Sequence, residues 1–174
     1  MSAPITLHAS PTAGFDEPFE MLAACHERVL RMLGLLQRLA EHLADHGADE
    51  PARQAARDVM RYSDIAGPAH HEDEERHVFP ALRAMADQAL LTVVGQLHDD
   101  HLQMAKAWAA LRQELARIAD AGDATPPRWS AFAALYRAHI ATEEGIAYPA
   151  AQCALDGAAR TRMGHEMARR RGVR

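Results

Sequence analysis

The chain contains little cysteine, few aromatic residues and no long apolar run. Its 174 residues include two cysteines, Cys25 and Cys153, too few for a disulfide framework and typical of a reducing compartment such as the cytoplasm. Aromatic residues make up 5% of the chain, whereas hydrophobic residues make up 48%, and this excess of Ala and Leu favours packed helices over sheets. No apolar stretch is long enough to span a bilayer, so we predict no membrane association.

Positive charge is also scarce. The formal net charge is -5 at pH 7, so the chain lacks the basic field that attracts nucleic acid. The first residues, MSAPITLHASPTAG, lack a charged segment followed by a long apolar one, and we predict no secretory signal. We expect one domain over residues 16–155, a flexible extension at 1–15, and a tail or short helix at 156–174.

Four segments carry apolar residues at the three-to-four spacing of amphipathic helices, and no alternating strand pattern competes with them. The second segment is predicted to bend at Gly67 and Pro68. Short polar breaks between long helices predict an all-α fold, an antiparallel up-down-up-down four-helix bundle with a possible short C-terminal helix. The four segments start near Asp16, Glu50 and Leu90 and after Pro127.

An internal repeat lies on the second and fourth predicted helices. Residues 70–81 read HHEDEERHVFPA and residues 139–150 read HIATEEGIAYPA, and both follow H-x-x-x-E-E-x-x-x-[F/Y]-P-A. Their surroundings share little else, so a solvated charge run does not explain the match. The repeat therefore suggests two half-sites.

Helix geometry gives this repeat a chemical meaning. Side chains four residues apart lie one turn above each other, so His70 with Glu74, and His139 with Glu143, can hold one cation. Each of the other two helices places a histidine on its apolar stripe. Counting from the first two turns puts these histidines level with the repeat, whereas the third turn fits less well. These two histidines are His26 and His101.

One layer of the bundle interior is thus predicted to hold four histidines and two glutamates. Removing even one carboxylate from water without a partner costs several kcal/mol, and neither Lys nor Arg lies on these stripes at that level. Bound metal is the natural counter-charge. Each half supplies two histidines and one carboxylate, the set that non-haem Fe(II) favours, which suggests a dinuclear centre bridged by the glutamates.

The same residues resemble the hemerythrin-like cation-binding domain, also called the HHE domain, over roughly residues 16–155. The resemblance implies a four-helix bundle that holds two iron ions, joined by an oxo or hydroxo bridge, and binds dioxygen, nitric oxide or a related small ligand. It also implies that the four histidines are terminal ligands and that Glu74 and Glu143 are bridges. The implied terminal ligands are His26, His70, His101 and His139.

The sequence departs from the oxygen-carrying hemerythrins in two places. Those proteins have a second histidine four residues from the one on the third helix, where this chain has Leu97 and Ala105 around His101. They also place an aspartate five residues after the last histidine, whereas here Glu143 follows at four. The smaller histidine set favours sensing, iron handling or redox chemistry over reversible oxygen carriage, with His98 a minor candidate for a fifth nitrogen.

Two other interpretations stay open. The first is a di-iron enzyme acting on oxygen, peroxide or nitric oxide, and the second is a structural bundle with a zinc or empty site. Six ligands with bridging carboxylates argue against tetrahedral zinc. Cys25 is interpreted as a packing residue, with redox sensing as a minority alternative. The remaining polar groups of the repeat are interpreted as surface residues or groups that orient ligands: His71, Glu75, His77 and Glu144.

Overall fold

A computed structural model describes residues 14–173 of the chain, and within them the structure is helical and contains no strand. The predicted all-α class is therefore confirmed. Three π-helical turns occur at Glu74–Val78, Arg117–Ala121 and Glu143–Ala147. The α-helices are α1 (Pro18–His46), α2 (Glu50–Asp73), α3 (Phe79–Ala84), α4 (Gln88–Ala116), α5 (Ser130–Thr142), α6 (Tyr148–Ala154) and α7 (Gly157–Arg170).

Four long rods form the bundle. Helix α2 continues through its π turn into α3, and α5 continues in the same way into α6, so each pair makes one rod beside α1 and α4. Turns of three residues separate α1 from α2 and α3 from α4, and such short turns make consecutive rods antiparallel neighbours. Asp49 and Asp87 cap the rods that follow these turns by accepting backbone N–H bonds.

The interior contains two apolar clusters, and each rod passes from one cluster to the other. On α1, Leu22 belongs to one cluster and Val29 to the other. On α4, Leu97 and Met104 are divided in the same way. His26 and His101 lie between these pairs, so the polar layer predicted from the sequence falls between two dry clusters.

The second rod contains the predicted bend region at Gly67 and Pro68 and, further on, an irregularity that was not predicted. Helix α2 runs through Gly67 and Pro68 without ending, and the irregularity lies at the π turn Glu74–Val78. Gly67 permits close packing here, because a Cβ at this position would lie 3.4 Å from the Tyr136 hydroxyl. Gly67 and Pro68 have low helix propensity, yet α2 continues through them where it packs against the neighbouring rod.

Helix α7 packs on the bundle through Met163 and Met167, so a C-terminal helix is present. Its Gly164 allows close approach, since a Cβ there would lie 1.8 Å from the Phe15 carbonyl oxygen. The flexible extension expected at 1–15 lies almost wholly outside the described residues. Between residues 14 and 173, no helix is both long and apolar enough to cross a membrane.

Candidate metal centre

All six residues predicted as ligands converge between the two apolar clusters, and none is more than 4% exposed. They form two groups that share both glutamates. Within each group, one nitrogen or oxygen atom of every residue lies within 4.8 Å of the others. The groups are His26, His70, Glu74 and Glu143, and Glu74, His101, His139 and Glu143.

Each glutamate presents one oxygen to each histidine pair. Oε1 of Glu74 lies 3.2 Å from Nε2 of His70, whereas Oε2 lies 3.3 Å from Nε2 of His101. Oε1 of Glu143 lies 3.0 Å from Nε2 of His139. Its Oε2 lies 3.1 Å from Nε2 of His26. This is the geometry of two carboxylates that could each bridge a pair of ions.

The π turns explain why the glutamate and the aromatic residue of each repeat both face the site. Both turns that follow a histidine of the repeat begin at a buried glutamate, Glu74 or Glu143. In a π turn, hydrogen bonds join residues five apart, so side chains at that spacing face nearly the same way. The aromatic residues five positions on, Phe79 and Tyr148, are consequently buried beside the site instead of turning away from it.

Several buried atoms of the site lack a hydrogen-bond partner among residues 14–173. A bound metal would give such atoms a partner, so they show whether the residues fit a metal. They include Nε2 of His70, His101 and His139, Oε2 of Glu74, and both carboxylate oxygens of Glu143. Leaving a buried polar group unpaired costs about 1–3 kcal/mol, and more for a charged one. Two atoms each about 2.1 Å from one ion lie roughly 3 Å apart when the ion joins them at a right angle, close to the spacing found here. The residues fit a metal pair.

The electrostatics of the two glutamates support this conclusion. Burial, together with the neighbouring charge of Glu143, raises the pKa of Glu74 to about 7. Burial also acts to raise the pKa of Glu143, but the adjacent imidazoles of His139 and His26 outweigh it and lower that pKa well below its usual range. Burial and the nearby His26 hold the pKa of His70 well below its usual value, which leaves a neutral imidazole able to bind a metal.

Three of the histidines donate their outer ring nitrogen to a carboxylate. Nδ1 of His26 lies 2.9 Å from Oε1 of Glu144, and Nδ1 of His101 lies 2.9 Å from Oε1 of Glu75. Nδ1 of His139 lies 3.2 Å from Oδ2 of Asp100. Each bond fixes the ring with Nε2 inward, and the metal-binding histidines of proteins commonly have such partners.

Asp100 was not singled out from the sequence, because its contact with His139 joins two different rods. Tyr148 was noted only as the aromatic end of the repeat. Its hydroxyl donates to Oε1 of Glu74 and lies 3.1 Å from Nε2 of His26. The [F/Y] position of the repeat was the available signal, but Phe and Tyr fill an apolar position equally well.

Three other histidines of the motif region lie outside the six-residue group. The ring of His71 stacks on His101 with 4.0 Å between centroids, and burial lowers the pKa of His71 to about 3. His77 pairs with Glu166 at 2.8 Å. His98 is 46% exposed and its Nδ1 lies 3.4 Å from Glu75, so it does not reach the cluster.

A helical bundle whose interior holds four inward-facing imidazoles and two shared carboxylates is typical of cation-binding proteins. Residues 17–151 match the model of the hemerythrin HHE cation binding domain, and the chain belongs to this family, as its motifs predicted. The chain is also 32% identical over 164 residues to an uncharacterized protein of Haemophilus influenzae. That match covers 93% of this chain and 94% of the other.

Proposed function

We propose that the protein binds two iron ions between its four rods and uses them to bind or sense a small ligand, dioxygen or nitric oxide. One observation carries the proposal: Glu74 and Glu143 each direct one oxygen to His26 and His70 and the other to His101 and His139. Bridging carboxylates of this kind serve two ions instead of one.

In this proposal the four histidines and the two glutamates would hold the two ions between them. His26 and His70 hold one ion, and His101 and His139 hold the other. Two histidines with carboxylates suit non-haem Fe(II), which keeps open positions for exogenous ligands. Four protein ligands would saturate zinc in its usual tetrahedral geometry. The bound iron pair would supply open coordination positions and a reversible change of oxidation state.

The remaining residues of the site orient the ligands and limit access. Glu144, Glu75 and Asp100 hold three histidine rings. The apolar clusters on both sides exclude water, which strengthens every charge interaction between them. A cavity of about 190 Å³, lined by His71 and Met104 among others, lies beside the ring stacked on His101. It is large enough for a diatomic molecule.

We also propose a reducing compartment such as the cytoplasm. Cys25 is half-buried and Cys153 exposed, and both are free thiols. Reduced thiols of this kind are the usual state in such a compartment.

Metal analysis and spectroscopy of protein loaded anaerobically with Fe(II) test the proposal. We expect two iron ions per chain, and an optical spectrum that changes when nitric oxide or dioxygen is added. Glu74→Ala and Glu143→Ala should each lower the iron content and weaken this spectrum. Glu27→Ala is the matched control, because Glu27 is the exposed neighbour of His26 and lies outside the cluster.

Two results would contradict the proposal. Protein that takes up zinc but fails to hold two iron ions would indicate a structural site. Sustained turnover of peroxide or nitric oxide by the iron-loaded protein would instead indicate the enzymatic alternative.

A further inference from the structure

The two halves of the site match each other with one chemical exception. In each half an aromatic ring follows the bridging glutamate by five residues and packs on a histidine of a different rod. Phe79 packs on His101 with ring centroids 5.4 Å apart, and Tyr148 packs on His26 with the same separation. Both aromatic side chains are buried. The Tyr148 hydroxyl is therefore the difference between two otherwise matching positions.

That hydroxyl contacts one metal position and not the other. It donates to Oε1 of Glu74, the carboxylate oxygen directed at His70, and it lies 3.1 Å from Nε2 of His26. The other oxygen of Glu74, directed at His101, finds no hydrogen-bond partner among the described residues. Two of the four glutamate oxygens face the His26 and His70 position, and one of these two, Oε1 of Glu74, has the hydroxyl donor.

At the His101 and His139 position, the edge of the Phe79 ring takes the place that the Tyr148 hydroxyl has in the other half. There Phe79 brings no donor, and the two glutamate oxygens directed at this position, Oε2 of Glu74 and Oε1 of Glu143, have no hydrogen-bond partner within residues 14–173. A hydrogen bond to a carboxylate oxygen uses one lone pair and draws electron density from that oxygen, so the oxygen becomes a weaker metal ligand. The two metal positions consequently differ in ligand strength although their ligand types are the same.

We propose that Tyr148 is a positioning residue that makes the two metal positions inequivalent. Its hydroxyl donates to Oε1 of Glu74 and makes that oxygen a weaker metal ligand. The His101 and His139 position therefore binds iron first, and the His26 and His70 position binds it second. The position beside Tyr148 is then the more exchangeable one. This inference rests on the proposed dinuclear iron site.

Mössbauer spectroscopy and stepwise Fe(II) titration of the full-length protein test this inference without any activity measurement. The native protein should show two distinct iron signals of equal area, and two binding steps that differ on the order of tenfold in affinity, the scale on which groups around a metal ligand act. In Tyr148→Phe the two signals should converge and the two affinities should approach each other.

The internal repeat provides a matched control. The double substitution Phe79→Tyr with Tyr148→Phe moves the hydroxyl to the equivalent place in the other half of the site. It should restore two signals and two separate binding steps. Circular dichroism melting shows whether each variant is folded. If the double variant does not fold, the iron signals and binding steps of Tyr148→Phe test the inference by themselves.

Three outcomes would overturn the inference. Two equally distinct iron signals in folded Tyr148→Phe would show that the hydroxyl is not the source of the difference. A phenolate-to-iron absorption band that Tyr148→Phe abolishes would show that Tyr148 is a ligand instead of a hydrogen-bond donor. Failure of the native protein to bind two iron ions would overturn the proposed function as well, whereas the first two outcomes leave it standing.

Discussion

The ring orientation of the buried histidines depends on carboxylates that do not themselves face the metal positions. Glu144 lies behind His26, and Glu75 lies behind His101. Both carboxylates reach solvent, so they avoid the cost of full burial. Each one keeps Nε2 of its histidine directed inward and, in the proposed site, would strengthen that histidine as a ligand.

We expect Glu144→Ala and Glu75→Ala to weaken iron binding about 10- to 100-fold, the usual effect of removing such a partner. The His26 and His101 rings would lose their anchor while all six proposed ligands remain. Competition with a chelator of known affinity measures the change. Glu27→Ala should leave the affinity as it is, and unchanged affinity in Glu144→Ala and Glu75→Ala would contradict the orienting role.

The six clustered residues were predictable because a histidine and a glutamate four apart on a helix are neighbours whatever the rest of the fold does. His26 and His101 followed because they interrupt apolar stripes at the matching level. Asp100 and the hydroxyl of Tyr148 were not predictable in the same way. Their partners, His139 and Glu74, lie on other rods, and the sequence does not specify the rotation of one rod against another.

Local register within the rods is set by the π turns. The turn at Glu143–Ala147 lets Glu143 and Tyr148 both face the interior, although an α-helix would turn these side chains apart. A π turn is equivalent to one residue inserted into an α-helix. Removing one exposed residue should therefore return the rod to regular α geometry.

Deleting Gly145 should preserve the binding of two iron ions and leave the helical content nearly unchanged. In the shortened chain the tyrosine follows Glu143 at a spacing of four, at which α-helical side chains share one face, so Tyr148 stays directed at Glu74. Metal analysis and far-ultraviolet circular dichroism measure the two effects. Deleting Asp120, which lies in the π turn Arg117–Ala121 away from the cluster, is the matched control and should also keep the iron.

The helices themselves were predicted closely, whereas their irregularities were not. The first two starts, near Asp16 and Glu50, compare with observed helices beginning at Pro18 and Glu50. Proline and capping residues mark such starts locally. The π turns occupy five residues each, too short a stretch for apolar periodicity to register, and the bend expected at Pro68 did not interrupt α2.

The C-terminal helix is tied to the rod that carries Glu74. Asp73 has no exposed surface, and the guanidinium groups of Arg170 and Arg171 contact it from α7 and the residue that follows. Both arginine side chains remain partly exposed, at 19% and 22%. The buried member of this cluster is thus the acid and not the bases.

Replacing both Arg170 and Arg171 with Ala should destabilise the protein by about 3–5 kcal/mol, because a buried carboxylate would lose its partners. Asp73→Ala should cost less, since the arginines can turn to water when the acid is removed. Urea denaturation of the two variants measures the difference in unfolding free energy. A larger loss in Asp73→Ala than in the double variant would contradict this assignment.

Iron should also stabilise the whole bundle, because only the folded chain brings the six proposed ligands together. Free Fe(II) at 100 times the dissociation constant adds about 2.7 kcal/mol, which for a chain of this size corresponds to a rise of roughly 5–10 °C in Tm. Thermal melts recorded anaerobically over a range of Fe(II) concentrations measure this shift. Glu143→Ala should show little gain, and an equal gain in that variant would indicate binding elsewhere.

The exchange of carboxylate oxygens between the two halves has a mechanical consequence. The half ending at α3 lends an oxygen of Glu74 to the histidines of the other half, and the half beginning at α4 lends one of Glu143 in return. Ions bound in the proposed way would be removable crosslinks across the middle of the molecule. A chain nicked at residues 85–87 would consequently hold its two fragments together more tightly with iron than after chelation.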